Sequence, residues 1–183
     1  MQIKAFREIE RLFLWFQSNN ISNFIENHPN MLELKKTTIK DLDTLFVFQQ
    51  DEEGNHMAAF TPEDPNNKEA YMKKWTGIVE NSSIDMQTIW EDDTLIGSVL
   101  HFTIGDETNV SYIIEKSYWG KGIATKALAQ FIAQSDKAAF YARTAFDNFG
   151  SQKVLEKNGF YKSNEALPGN MLLYQLDFIL DNE

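Results

Sequence analysis

Large apolar residues recur at Phe6, Ile9, Phe13 and Phe16, a spacing that lines one stripe of a helix and predicts an amphipathic N-terminal element running to about Ile25. Asn27-His28-Pro29-Asn30 ends it. Leu32-Glu33-Leu34-Lys35-Lys36 alternates as a strand does, and Thr38 with Asp41 three residues on resembles a helix start leading into Leu42, Leu45, Phe46 and Phe48. Thr61 to Asn67 is rich in Pro, Asn and Asp and reads as a loop, after which Ala70, Tyr71, Trp75, Ile78 and Val79 suit a second helix.

From Ser83 the period shortens. Ile84 to Trp90, Leu95 to Ile104 and Asn109 to Ile114 are β-rich runs separated by acidic and glycine turns, which predicts an antiparallel meander. Ile123, Ala127, Leu128, Phe131 and Ile132 then share a helix face, followed by a strand from Ala138 to Arg143. Asp147 or Asn148 can cap a further helix through Glu156, Asn158-Gly159 can end it in a left-handed turn, and Met171 to Phe178 closes the chain as a strand. The order β-α-α-β-β-β-α-β-α-β-β predicts an α/β (α+β) domain around a mixed, mostly antiparallel, twisted central sheet. Residues 1–30 form a separable N-terminal helical extension and 31–183 the domain; the extension packs either on the core or on a second subunit of a homodimer.

Composition narrows the class. Hydrophobic residues make up 43% and fourteen are Phe, enough for a real core and unlike a disordered chain. With 27 acidic against 17 basic residues the net charge is -10, which disfavours nucleic acid and anionic membrane surfaces and favours cationic partners. The absence of cysteine excludes a disulfide framework, a thiolate metal site and a cysteine nucleophile, and three scattered histidines offer no metal spacing, so no metal is expected. Charged residues interrupt the first 27 positions, so neither a signal core nor a membrane span is expected and the location is taken as cytoplasmic. Asn81-Ser82-Ser83 matches a glycosylation sequon but is read as a turn.

The candidate chemistry begins where a strand ends at Ile113-Ile114 and Trp119-Gly120-Lys121-Gly122 opens a helix. Unpaired amides at such a start converge on phosphate, and glycines leave room for close backbone approach. Lys116, Lys121 and Lys126 cluster there. A Walker A loop is excluded because Glu115 stands five before Gly120 and Gly122 follows Lys121; a dinucleotide fingerprint is excluded because Thr125 stands where its third glycine belongs.

The run Ser117-Tyr118-Trp119-Gly120-Lys121-Gly122-Ile123-Ala124-Thr125 resembles the acetyl-coenzyme A loop of the GNAT N-acetyltransferases, a superfamily with the acyl-CoA N-acyltransferase fold. Asn148-Phe149-Gly150-Ser151, followed by Val154-Leu155-Glu156-Lys157-Asn158-Gly159-Phe160, resembles its second signature. The similarity runs from roughly Leu32 to Leu176, and Met57 to Pro65 resembles a bacterial branch near the ribosomal-protein acetyltransferases. The resemblance implies acetyl-CoA as cosubstrate, held by Gly120, Lys121, Gly122, Ile123, Ala124 and Thr125 at the pyrophosphate. It also implies that the strand at Ile113-Ile114, splayed by a bulge, pairs with the pantetheine arm. Asn148 would bond the pantetheine or thioester region, and Ser151 would protonate the leaving sulfur. Trp119 either shields the cofactor or packs in the core. Three departures matter: Ser117 stands where many members carry Gln or Arg, Leu155 where many carry a tyrosine acid, and Asn109 where related enzymes often carry Glu.

The acceptor is expected to be the amine of a small molecule or peptide. A lysine-like amine of pKa ~10.4 is neutral only about once in a few thousand molecules at pH 7, so a base or desolvating pocket must offset roughly 4–5 kcal/mol. His101, Asp106, Glu107, His56 and Glu63 are the candidates, with His101 the catalytic choice beside Ser151, against a purely structural role in its strand. The alternative to an enzyme is a noncatalytic CoA-binding or sensory module, or an interaction scaffold built on the N-terminal helix.

Overall fold

The computed structural model describes residues 32–57, 64–164, 167–168 and 171–177. The predicted N-terminal helix, the expected boundary at residue 30 and Glu63 lie outside these. Seven strands form one sheet in the order β1-β2-β3-β4-β5-β7-β6. They are β1 (Leu32–Lys36), β2 (Asp85–Glu91), β3 (Thr94–Ile104), β4 (Glu107–Ile114), β5 (Ala139–Ala145), β6 (Tyr161–Lys162) and β7 (Met171–Asp177). All neighbours pair antiparallel except β4 and β5. The expected mixed, mostly antiparallel α/β fold is therefore the observed one.

Among the described residues five α-helices connect the strands: α1 (Leu42–Gln49), α2 (Glu52–Met57), α3 (Lys68–Glu80), α4 (Ile123–Ala133) and α5 (Phe149–Lys157). Helix α2 was not anticipated, because Glu-Glu-Gly-Asn-His-Met carries no apolar period; its start is fixed locally by Asp51, whose carboxylate accepts the Gly54 amide at 2.8 Å. The sequon residue Asn81 does make a turn, its side chain accepting from the amide and hydroxyl of Ser83 at 3.0 and 2.8 Å.

Two apolar layers sandwich the sheet. On one face Ile89, Val99, Val110 and Ile114 pack against Ile123, Ala127, Leu128 and Phe131 of α4 and Leu155 of α5, with Phe140, Ala142 and Tyr174 completing the layer. On the other face Leu42, Leu45 and Phe46 of α1 and Tyr71 of α3 cover Met86, Leu95 and Leu100. The alternating pattern of β4 follows from this: Val110, Tyr112 and Ile114 face the α4 layer, so Asn109, Ser111 and Ile113 face the opposite side.

Helix α5 ends as its sequence predicts. Gly159 takes φ +83°, its amide reaches the Glu156 carbonyl and the Phe160 amide reaches Leu155, the paired bonds of a Schellman cap. Asn158, buried, donates to Val154 at 2.8 Å and to the Thr125 carbonyl at 3.2 Å, which ties the end of α5 to the first turn of α4.

Candidate active site

The site is built on a parting of two parallel strands. β4 pairs with β3 without interruption from Ile104↔Glu107 to Gly97↔Ile114, yet it meets β5 at one point, Asn109↔Tyr141. Beyond that point no pairing between β4 and β5 is found among the described residues, so Val110–Ile114 and Ala142–Ala145 line a cleft that opens toward the strand ends. The expected bulge in β4 is absent. The sheet's irregularity lies instead between β2 and β3, at Ile89/Trp90. The cleft follows from a single-point contact, and Asn109 fixes that point: its buried side chain donates to the Glu107 carbonyl at 3.1 Å and accepts from Arg143 of β5. Arg143 also pairs with the Glu107 carboxylate at 2.6 Å.

Approach of β4 to β3 is close at Gly97. A Cβ there would stand 2.3 Å from the Ile113 carbonyl oxygen, inside any permitted contact, so only glycine lets β4 keep this position. Past Ile114 the chain makes a short 3-10 turn, Lys116–Tyr118, and then the glycine loop. Trp119 turns its indole back and donates to the Ile114 carbonyl at 2.7 Å; it is neither a core residue nor free, but a brace that holds the loop on the strand.

Gly120 and Gly122 take φ +74° and +78°. A Cβ on either would meet no other protein atom within 4 Å, so the backbone conformation, not packing, requires glycine. The two left-handed residues turn successive amides to one side. Gly122 caps α4 without a side-chain bond, and among the described residues the amides of Gly120, Lys121, Gly122, Ile123, Ala124 and Thr125 donate no hydrogen bond. Uncapped donors at the positive end of a helix dipole are an anion site in waiting. The lysines divide their work. Lys116 is committed to Asp51 and Glu53 at 3.2 and 2.8 Å, contacts that raise its pKa, and Lys121 lies 4.6 Å from the Tyr118 ring centre.

Across the cleft, α5 starts on Asn148. Its Oδ1 accepts the Ser151 amide at 2.9 Å, while its Nδ2 donates to the Met57 carbonyl at 2.8 Å. Ser151 is thus fixed in the first helical turn. The Tyr112 hydroxyl, from mid-cleft on β4, donates to the Ser151 carbonyl at 3.4 Å, which brings Ser151 to the cleft wall. Burial pushes the Tyr112 phenol up to about 12, so it stays protonated. Leu155, at the position of the missing tyrosine acid, is fully buried in the core.

Other predicted residues lie elsewhere. His101, on β3, pairs with Val110 on β4 and Asp85 on β2, and its ring packs on Phe131 and Phe140 at 5.8 and 6.4 Å. It stands about 13 Å along β3 from Gly97 at the open end, at ~3.3 Å per residue. Partial burial lowers its pKa, with Asp85 pulling the other way. Among the described residues no hydrogen bond joins His101 to Ser151, and the imidazole packs on the α4 face. Asp106 sits at the far β3–β4 turn, and Glu107 is bound to Arg143. His56 meets the turn after β5: its Nε2 lies 3.2 Å from Asp147 Oδ2. Sequence reasoning gave Asp147 only a capping role and did not single out Tyr112; the period-2 alignment of Tyr112 with Val110 and Ile114 was the available signal for the latter. Among the described residues no cluster of His, Asp or Glu could hold a metal, and no helix is long and apolar enough to cross a membrane.

Comparison with known proteins agrees with this geometry. Residues 31–161 match the family model for the acetyltransferase (GNAT) domain. Among solved structures, a domain from Methanocaldococcus jannaschii superposes with a TM-score of 0.70 at 18% identity, over 81% of this chain and 99% of that one. RimL, a ribosomal L7/L12 alpha-N-protein acetyltransferase in complex with coenzyme A, gives 0.66 at 19% identity, over 80% of this chain and 93% of that one. Mycobacterium smegmatis RimJ with a CoA disulfide gives 0.62 at 17%, over 81% and 83%. At these identities the similarity is one of fold.

Proposed function

The chain belongs to the GNAT acetyltransferase family, and on that premise we propose that it moves the acetyl group of acetyl-CoA to the primary amine of a small molecule or peptide by direct attack in a ternary complex. The observation that carries the reading is the uncapped start of α4, led by two positive-φ glycines, at the open end of the β4–β5 cleft. A diphosphate is the natural occupant of such donors, and a thioester arm extending from it into the cleft runs between β4 and Ser151.

In this reading the amides of Gly120 to Thr125 hold the pyrophosphate, and main-chain groups near Ile113 pair with the pantetheine as a neighbouring strand would. The Ile114 carbonyl, already bonded to Trp119, is the least available of these. An amide of the same strand polarises the thioester oxygen as negative charge develops on it. Ser151 Oγ donates to the departing sulfur, taking the role for which the phenol is missing at Leu155. Asn148 contributes by holding Ser151 in place, and its second amide hydrogen can serve the pantetheine. The acidic surface suits a cationic acceptor.

Incubation with acetyl-CoA and a panel of amines, read by release of free thiol, tests the proposal. Amine-dependent thiol release supports it; calorimetric binding of acetyl-CoA with no release for any amine favours a noncatalytic CoA-binding module instead.

A further inference from the structure

The reaction needs a group that removes a proton from the acceptor, and among the described residues the carboxylate of β4, Glu107, is tied to Arg143, while Asp51 and Glu53, at the start of α2, are tied to Lys116. Helix α2 supplies one. Its first end is anchored to the segment after β4, where Lys116 bonds Asp51 and Glu53 and the Trp119 ring lies beside Gly54. Its last end is anchored to the segment after β5, where Asn148 Nδ2 holds the Met57 carbonyl and Asp147 meets His56. An element fastened to the continuations of both parted strands lies across the open end of the cleft. His56, with an exposed side chain, sits at the β5 bank of that crossing.

Resting on the acetyl-transfer reading above, we propose that His56 is the general base for the acceptor amine, oriented by Asp147. An ionised carboxylate only accepts hydrogen bonds, so its contact with Nε2 fixes the N–H there and leaves the lone pair on Nδ1. Asp147 is a positioning residue. Asn148 links the two sides of the chemistry: one end of its amide holds the backbone next to His56 and the other holds the amide of Ser151. The base for nitrogen and the acid for sulfur are thus referenced to one side chain. Charged groups around α2 are Asp147 from the turn after β5, Lys116 from the segment after β4, Asp51 just before the helix and, on α2 itself, Glu52 and Glu53.

The proton count closes. The acceptor ammonium gives one proton to Nδ1; the free amine forms the C–N bond as the C–S bond breaks. The thiolate takes a proton from Ser151 Oγ, and the second proton lost by the nitrogen passes through water to that oxygen and restores the hydroxyl. His56 then releases its proton to solvent, and each acetyl transfer yields one amide, one thiol and one proton.

The test uses the full chain with acetyl-CoA and the best amine of the panel. His56→Gln should lower kcat by about 10²-fold or more, leave the calorimetric affinity for acetyl-CoA unchanged and abolish the acidic limb of the kcat/KM–pH profile. Added imidazole should partly restore His56→Ala. Asp147→Asn should lower kcat alone yet add little in the His56→Gln background, since the pair acts as a unit. Absence of thiol release by the wild type for every amine would overturn the acetyl-transfer reading and this proposal with it. Wild-type release together with wild-type turnover, or a retained acidic limb, in His56→Gln would overturn the base assignment alone.

Discussion

The Tyr112 hydroxyl on β4 donates to the carbonyl of Ser151 on α5 at 3.4 Å, so one phenol spans the cleft between the strand that would carry the thioester and the turn that would protonate it. That phenol is held up to about 12 by burial, whereas in the unfolded chain it titrates near ~10. The folded state therefore keeps its proton over a range where the unfolded state has lost it. The associated stability is fully present below about pH 10 and declines as pH rises through about 12. Tyr112→Phe should flatten the alkaline limb of Tm against pH, measured by circular dichroism; an unchanged alkaline limb would show that the phenol is not desolvated in the fold.

Gly97 sets the position of β4. Because a Cβ would fall 2.3 Å from the Ile113 carbonyl oxygen, Gly97→Ala must displace the strand that lines the cleft. A loss of about 1–3 kcal/mol in denaturant unfolding, typical of overpacking, is expected, together with weaker acetyl-CoA binding. Wild-type stability would mean that β3 and β4 separate without cost.

At Gly122 conformation and site can be tested together. Replacement by Trp puts a side chain on the turn whose amides would meet the diphosphate, in a backbone at φ +78° that L residues rarely adopt. The core below, from Ile123 to Phe131, is untouched. Gly122→Trp should abolish calorimetric binding of acetyl-CoA while the far-ultraviolet spectrum is retained; unchanged affinity would remove the loop from the site.

Asn148 allows its two duties to be separated. Asn148→Asp keeps an oxygen for the Ser151 amide at a helix N-terminus, where negative charge is favoured. It loses the donor to Met57 and sets a carboxylate against that carbonyl. Stability should stay within about 1 kcal/mol of the wild type, while turnover falls through loss of the α2 tie. Activity that simply follows Tm across Asn148→Asp and Asn148→Ala would reduce the residue to a cap.

Much of this arrangement was legible from residues in series. The alternation of Leu32 to Lys36 and the β-rich runs gave the strands, because each buries one or both faces in apolar layers. Asn148 and Gly159 gave the ends of α5, because caps are local chemistry. What escaped was relational. His101 was weighed for catalysis on its residue type, and only the register against Val110 and Asp85 shows its ring packed on Phe131 and Phe140. Lys116 was grouped with phosphate-binding lysines, although its carboxylate partners come from α2, a helix with no periodic signal. The meeting of His56 with Asp147 joins residues 91 positions apart, and no local pattern could announce it.

The account turns on whether the amides leading α4 receive the cofactor's phosphates. An amide NMR titration of the full chain with acetyl-CoA measures this directly. Saturable shifts concentrated at Gly120, Lys121, Gly122, Ile123, Ala124 and Thr125, with smaller ones along Ile113 and Ser151, are the predicted result. Saturable binding that leaves those six amides unmoved would contradict it.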